Sequence, residues 1–472
     1  MPILSARLRA AFARAPRRPV LRAALAAVAL ALGPFAAHAQ GQAKQVIIRD
    51  AEIEALMRDY ANPILAAAGL RSGAVTVTLV GDRGFNAFVV DGRRIFINVG
   101  ALMEAETPNE IIGVLAHEAG HIAGGHLARL REQLRSAQIL SVAGLLLGGA
   151  AIAGSARMGD RVGNPAVGAA GIATGGQEMV RRSLLAYQRG EEQAADRAAL
   201  TYLERTRQSP RGMITTFKRF ADSGLFTSRT LDPYLLSHPL PQERVANLEE
   251  TARKSPFWEA RDPAPLQARH DMMRAKLYGF VGRPDEVARR YPLSNASLPA
   301  RYARAISAYK NGQLASALAQ IDALVAAQPG SAYFQELKGQ VLLETGRPRE
   351  AIAPLRRAVA QSGGSPLIRT LLGHALVATD EPALAAEAVR ELTLVTQRDP
   401  EATDAFRHLA TAYGRRGDLA MAELATAQYY LNSGNWRDAK IQASRALPRF
   451  SPNSPGALKA QDIIDWRPPV VN

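Results

Sequence analysis

TPNEIIGVLAHEAGHIAGGHLARLR, residues 107–131, decides how this chain is read, and at its centre stand His117-Glu118-Ala119-Gly120-His121. The stretch opens as a helix should. Thr107 can cap it, Pro108 suits the first helical position where its missing N–H costs nothing, and Glu110 follows Thr107 at the capping-box spacing. Ile111, Ile112, Leu115, Ala119 and Ile122 recur at helical spacing, which predicts one apolar face turned inward. His117 and His121 project from one side of that helix, a turn from each other. Two imidazoles so placed can hold one Zn²⁺ through ring nitrogens, and Glu118 can reach a water on that ion as general base. The plainer alternative is a histidine pair satisfied by backbone carbonyls. Against it, the chain has eight histidines, and His117, His121 and His126 fall within ten residues. His126 reads as a supporting or packing residue, because a fourth protein ligand would close the site.

Two histidines leave a zinc site incomplete. Downstream, Arg182–Arg205 has the pattern of a strong helix, with Glu192 and Asp196 four residues apart on one face. Glu192 is placed to supply the third ligand, and Asp196 to accept the other ring N–H of a ligating histidine. Acidic pairs at this spacing are common on solvated faces, but Ala194, Ala195, Ala198, Ala199 and Leu200 surround this one and predict partial burial.

Composition narrows the chemistry. The 472 residues are 47% hydrophobic and 21% charged, enough for two or three ordinary folded domains. There is no cysteine, which excludes disulfides, thiolate ligands and a cysteine nucleophile, so a metal must be held by histidine and carboxylate. The net charge of +15 overstates the basic character, because Arg7, Arg9, Arg14, Arg17, Arg18 and Arg22 crowd the start. Without them, 52 basic against 43 acidic residues leave +9. No basic run with interleaved aromatics stands out, so nucleic acid is not expected as a partner; an anionic envelope component or an acidic client fits better.

Those arginines precede the apolar run Ala23–Leu32 and the small-x-small sequence Ala37-His38-Ala39, so residues 1–39 read as a cleaved signal peptide and the mature chain as periplasmic. A catalytic domain then spans 40–255. Asp50 should cap a helix running to about Ala68, with Ile53, Leu56, Met57 and Tyr60 on its buried face. Ala74–Val80 alternates as a strand, and Ala87–Val90 and Ile95–Val99 flank Asp91-Gly92 as a hairpin whose edge could pair with an extended peptide. Ser136–Ala156 carries no charge over 21 residues, the threshold of a membrane span, but its glycines favour a mobile apolar flap in peripheral contact with membrane or substrate. Gly163–Gly176 is a second such stretch. Residues 256–298 form a helical junction. From 299 to 472 a repeat appears: Gly312, Gly346 and Asp380 advance by 34, each followed five residues later by Ala317, Ala351 and Ala385. That is the tetratricopeptide period, and Gly417/Ala422 and Gly434/Ala439 continue it with drifting spacing.

Taken together, AHEAGHIAGGH (116–126), EEQAAD (191–196) and SHPLPQER (237–244) resemble the zinc metallopeptidases related to the heat-shock protease HtpX and the CAAX prenyl protease. They are closer to the periplasmic, tetratricopeptide-fused branch of that family, the beta-barrel assembly-enhancing proteases. The resemblance covers roughly Val46 to Leu248. It implies a mainly α (α+β) chain, a gluzincin-like metallopeptidase domain with a small β-hairpin or sheet followed by an α-solenoid. It also implies one Zn²⁺ per chain on His117, His121 and Glu192, with Glu118 as base. It further places His238 and Arg244 near the metal: His238 either stabilises the tetrahedral oxyanion or occupies the open metal position to hold the enzyme latent, and Arg244 pins the loop through a carboxylate. A turn that only positions the next helix is the alternative. The expected function is a zinc metalloendopeptidase acting on misfolded or unassembled envelope and outer-membrane proteins. The repeat domain would bind clients or the outer-membrane assembly machinery. A periplasmic chaperone or scaffold with minor proteolysis, and a membrane-associated processing protease, are the alternatives.

Overall fold

The computed structural model describes residues 46–71, 73–90, 92–133, 135, 188–224 and 242–468. The expected signal peptide, the uncharged stretch 136–156, the second Gly/Ala stretch and His238 lie outside these residues. The chain divides into two compact units, 1–46 with 128–190 and 47–127 with 191–472. In the first, the described residues 128–133, 135 and 188–190 are helical. The second contains everything that follows. Among the described residues no helix is long and apolar enough to cross a membrane.

The second unit begins with β1 (Ile47–Ile48) and α1 (Ala51–Ala67). Asp50 caps α1 as its side chain predicts, accepting a hydrogen bond from the Ile53 N–H at 2.9 Å. Ile53, Leu56, Met57 and Tyr60 are each 1% exposed on its inner face. Three further strands, β2 (Thr76–Val80), β3 (Ala87–Val89) and β4 (Arg94–Asn98), complete a sheet of order β1-β2-β4-β3. The expected hairpin is present: β3 pairs antiparallel with β4, Phe88 opposite Phe96, and Gly92 takes φ +73 between them. The sheet also contains a parallel pairing of β2 with β4, Thr76 opposite Arg94, that the local pattern did not announce. Among the described residues, strand β3 is one edge of the sheet.

The short helix α2 (Val99–Glu104) leads into α3 (Pro108–Gly124), which carries the two histidines. Thr107 and Glu110 do not form the expected capping box. Thr107 makes no side-chain cap bond, and Glu110 instead accepts from the Glu106 N–H at 2.9 Å and pairs with Arg219 at 2.9 Å. A long-range ion pair has won over a local motif. The prediction of one buried face is also too narrow, because every residue of α3 from Pro108 to Gly120 is buried. Two glycines explain how helices can close on its remaining sides. A Cβ at Gly113 would lie 2.6 Å from the Met213 Cβ, and one at Gly120 would lie 2.9 Å from the Ala195 carbonyl oxygen. Helix α4, whose residues 191–205 belong to this unit, and α5 (Arg211–Gly224) therefore pack directly against the α3 backbone, at Ala195 and at Met213. Asn109 ties the starts of α3 and α5 together, donating to the Ser209 carbonyl and accepting from the Gly212 N–H, both at 2.7 Å. α6 (Gln242–Ala252) adds Val245 and Leu248 to the same core.

Helix α7 (Ala264–Val281) joins this domain to the repeats and serves both. Met273, Leu277 and Tyr278 belong to the core of α1, α3 and α5, while Ala275 belongs to the first core of the solenoid. Its polar side chains are bonded to the segment just before α3: Gln267 donates to the Glu106 carbonyl at 3.0 Å, His270 meets the Ala105 carbonyl at 2.9 Å, and Arg274 donates to the Met103 carbonyl at 3.2 Å. A buried ionic cluster lies on the same helix. The ammonium of Lys276 is 2.8 Å from Asp50, 3.2 Å from Glu52 and 3.9 Å from Glu336, and Tyr302 donates to Glu52 at 3.1 Å.

After α8 (Pro284–Arg290) the solenoid proceeds in antiparallel pairs: α9 (Leu298–Lys310) with α10 (Leu314–Ala327), α11 (Ala332–Glu344) with α12 (Pro348–Gln361), α13 (Pro366–Ala378) with α14 (Pro382–Arg398), and α15 (Thr403–Arg415) with α16 (Leu419–Asn432). α17 (Trp436–Ala446) and α18 (Pro455–Asp465) finish it. The repeating Gly312, Gly346, Asp380, Gly417 and Gly434 all have φ between +61 and +77, so the period read from the sequence is a left-handed turn that reverses the chain. Ala317, Ala351, Ala385 and Ala439 are buried where the paired helices meet. A concave cavity of about 720 Å³ lies against α11, α13 and α15, and Ile48, Arg49, Asp50 and Ala51 form part of its wall.

Candidate metal centre

The fold brings α3 and α4 together at Gly120, and the candidate ligands sit on that contact. His117 and His121 face each other with Nε2 atoms 3.1 Å apart. Glu192, one turn before Ala195, places Oε2 at 3.4 Å from the His117 Nε2 and Oε1 at 3.3 Å from the His121 Nε2. Among the described residues this is a group whose ligand atoms all lie within 4.8 Å of one another. Zinc ligands at 2.0–2.1 Å in a tetrahedron lie about 3.3–3.4 Å from one another, which is close to the spacing of the two Nε2 atoms and to the approach of a Glu192 oxygen to each, so the three residues can share one ion. The charge also fits. Glu118, Glu192 and Asp196 are buried carboxyl groups, and Arg244 is a guanidinium buried beside two of them, an acidic excess that a dication would offset.

Support for His117 comes from Asp196 and Arg244, the two further residues singled out in the sequence. The His117 Nδ1 is 3.0 Å from the Asp196 Oδ1, which directs the Nε2 lone pair away from Asp196 and towards Glu192. Arg244, near the start of α6, grips Asp196 with Nε at 2.7 Å and Nη2 at 2.8 Å, and extends Nη1 to Glu192 at 2.9 Å. Burial alone would lower the His117 pKa, but Asp196 and Glu192 outweigh it and raise it to about 9. Burial likewise works against an ionised Asp196, yet its bonds to His117 and Arg244 hold its carboxyl below the usual range. The carboxylates thus favour positive charge between them, the demand a bound cation meets.

Glu118, next to His117 on α3, is completely buried. His126 does not join the ligand group; its Nδ1 contacts the His121 Nδ1 at 2.9 Å, and its Nε2 is 2.7 Å from Glu191. Two contributors were missed in the sequence. Phe217 on α5 packs edge-on against the His117 ring at 5.5 Å and lies under Arg244 at 5.9 Å; one aromatic among many gives no signal of this. Glu191 did leave a trace, since the doublet Glu191-Glu192 sets two carboxylates side by side just ahead of Ala194, Ala195, Ala198 and Ala199.

Comparison with known proteins agrees with this architecture. Residues 48–252 match peptidase family M48, and residues 302–366 and 342–405 match tetratricopeptide repeats. A beta-barrel assembly-enhancing protease of Yersinia pestis is 26% identical over 317 residues, 65% of this chain and 62% of that protein. One from Escherichia coli K12 is 26% identical over 282 residues, 58% and 54% of the two chains. A putative beta-barrel assembly-enhancing protease of Vibrio cholerae is 30% identical over 215 residues, 45% of this chain and 42% of that one. The chain thus spans less than two thirds of the length of these relatives.

Proposed function

We propose that the peptidase family M48 domain at residues 48–252, followed here by tetratricopeptide repeats, is a zinc-dependent endopeptidase that degrades misfolded or unassembled outer-membrane proteins in the periplasm. The observation that carries this reading is the set of ligand separations, 3.1, 3.3 and 3.4 Å, between His117, His121 and Glu192. A zinc ion held there would supply Lewis-acid polarisation of the scissile carbonyl and a water of lowered pKa. The chain's own residues do the rest. Asp196 fixes the tautomer of His117, and Arg244 holds Asp196 and Glu192 in place. Glu118 takes a proton from the attacking water and returns it to the leaving nitrogen. The buried setting keeps competing solvent away from that transfer.

The choice of client is supported by the name that the curated relatives bear, and by the concave cavity of about 720 Å³ on the repeats, suited to an extended or partly folded chain. Edge strand β3 offers a second place for an extended peptide to pair. The test is cleavage of an unfolded outer-membrane barrel protein by the purified chain. Wild type with zinc should cleave it, and Glu118→Gln should retain zinc and fold while losing at least 10²-fold in rate, the usual share of a general base. No cleavage by zinc-loaded wild type, or equal cleavage by Glu118→Gln, sinks the reading and favours a chaperone.

A further inference from the structure

We infer that His126 and Glu191 form a positioning pair that fixes the His121 ring for metal binding through the hydrogen-bonded line Glu191–His126–His121. The inference rests on the metal-centre reading above and extends it to the half of the site that Asp196 and Arg244 do not touch.

The geometry determines where the hydrogens go. His126 Nε2 lies 2.7 Å from the Glu191 Oε2, and an ionised carboxylate only accepts, so that nitrogen carries hydrogen. His126 Nδ1 lies 2.9 Å from the His121 Nδ1. Once the His121 Nε2 commits its lone pair to a cation, its Nδ1 carries the hydrogen and donates to the His126 Nδ1. Glu191 thus orients His126, and His126 orients His121. The two rings cross at 88° with centroids 4.8 Å apart, so they meet by their edges and are not stacked.

The backbone is shaped to put His126 there. Gly125 ends α3 with φ +66, its N–H capping the His121 and Ile122 carbonyls, and turns the chain back beside the last helical turn. A Cβ at Gly124 would lie 2.2 Å from the His126 Nε2, so any side chain at 124 would occupy the place of the ring. The doublet Glu191-Glu192 divides its work, since adjacent residues on a helix point about 100° apart. Glu192 faces the two ligand nitrogens, and Glu191 faces the back of His126. The site is therefore asymmetric. His117 leans on a carboxylate clamped by arginine, while His121 leans on an imidazole backed by a carboxylate.

The experiment measures zinc dissociation constants by chelator competition and the visible spectrum of the Co²⁺-loaded protein. His126→Ala should weaken zinc binding by about 10–100-fold, the usual effect of removing a residue that orients a ligand, and should alter the cobalt spectrum. His126→Asn should recover much of the loss, because its amide oxygen can accept the His121 Nδ1–H. Glu191→Ala should give a smaller loss, and the double variant should bind no worse than His126→Ala, since Glu191 acts through His126. Should His126→Ala fail to fold, His126→Asn against Glu191→Ala carries the comparison. Zinc binding that His117→Ala abolishes, while His126→Ala leaves affinity and cobalt spectrum unchanged, overturns the pair and spares the centre. Absence of zinc binding by the wild type overturns both.

Discussion

Replacing Gly120 with alanine puts a methyl group between the two helices that hold the candidate metal ligands. The new Cβ would stand 2.9 Å from the Ala195 oxygen, 3.0 Å from the Ala195 Cα and 3.3 Å from the Ala198 Cβ. The first two are backbone atoms that cannot swing aside, and carbon contacts are favourable near 3.5–4.0 Å, so α3 and α4 must part by about 0.5 Å. Overpacking of this kind costs about 1–3 kcal/mol, against which alanine in place of glycine gains roughly 1 kcal/mol of helix propensity. Net destabilisation of the metal-free protein should therefore be modest, about 0–2 kcal/mol. The larger consequence is functional, because His117 and His121 move away from Glu192, and a shift of about 0.5 Å is the tolerance of a working site. Zinc affinity should fall on the order of tenfold or more. Gly113→Ala is the control. Its Cβ would meet the Met213 Cβ and Cα at 2.6 and 2.7 Å, a tighter clash against α5, which supplies none of the three candidate ligands. It should cost more stability and less zinc affinity than Gly120→Ala. Urea unfolding in excess chelator and zinc competition on both variants measure the two quantities. Wild-type zinc affinity in Gly120→Ala, or the reverse ordering of the two variants, refutes the reasoning.

Lys276→Met should destabilise the chain by about 3–5 kcal/mol in urea unfolding, because it leaves Asp50, Glu52 and Glu336 without their buried cation. Adding Glu52→Gln should recover part of that loss, and a single variant within about 0.5 kcal/mol of wild type would show that the cluster is solvated. His270, buried between the Tyr60 hydroxyl and the Ala105 carbonyl, has its pKa lowered to about 4, chiefly by burial. The unfolded chain takes up that proton near pH 6.5 and the folded chain near 4. Stability should therefore fall as pH drops through that window, by about 3 kcal/mol in total from this group. His270→Gln should flatten the fall, and an unchanged slope would assign the acid sensitivity to other groups.

Local patterns were legible in the sequence, and contacts between distant segments were not. The Asp50 cap and the β3–β4 hairpin follow from spacing within a single element or turn, and the 34-residue period from the recurrence of one turn along the chain. His117, His121 and Glu192 could be named because helical spacing puts each pair of functional groups on one face, and three motifs then join the helices. The parallel β2–β4 pairing could not be read, since it depends on which strands the intervening chain brings together. Burial of α3 on all sides was hidden because Gly113 and Gly120 look, in a linear string, like weaknesses of a helix rather than landing places for its neighbours. Glu110 shows the opposite failure, a correct local motif overruled by Arg219.

Helix α7 changes what a boundary between the two sequence-defined domains means. Its alternate faces complete two cores, and Gln267, His270 and Arg274 fasten it to three backbone carbonyls, those of Glu106, Ala105 and Met103, just ahead of α3. The repeats and the domain that carries the candidate centre are thus coupled by a strut rather than a tether. Load on the repeat array would pass through these bonds to the backbone just ahead of α3. Stiffness of this kind makes the array a fixed ruler, so that any chain held on the repeats would lie at a set distance from His117, His121 and Glu192, measured in helices and not in the swing of a linker.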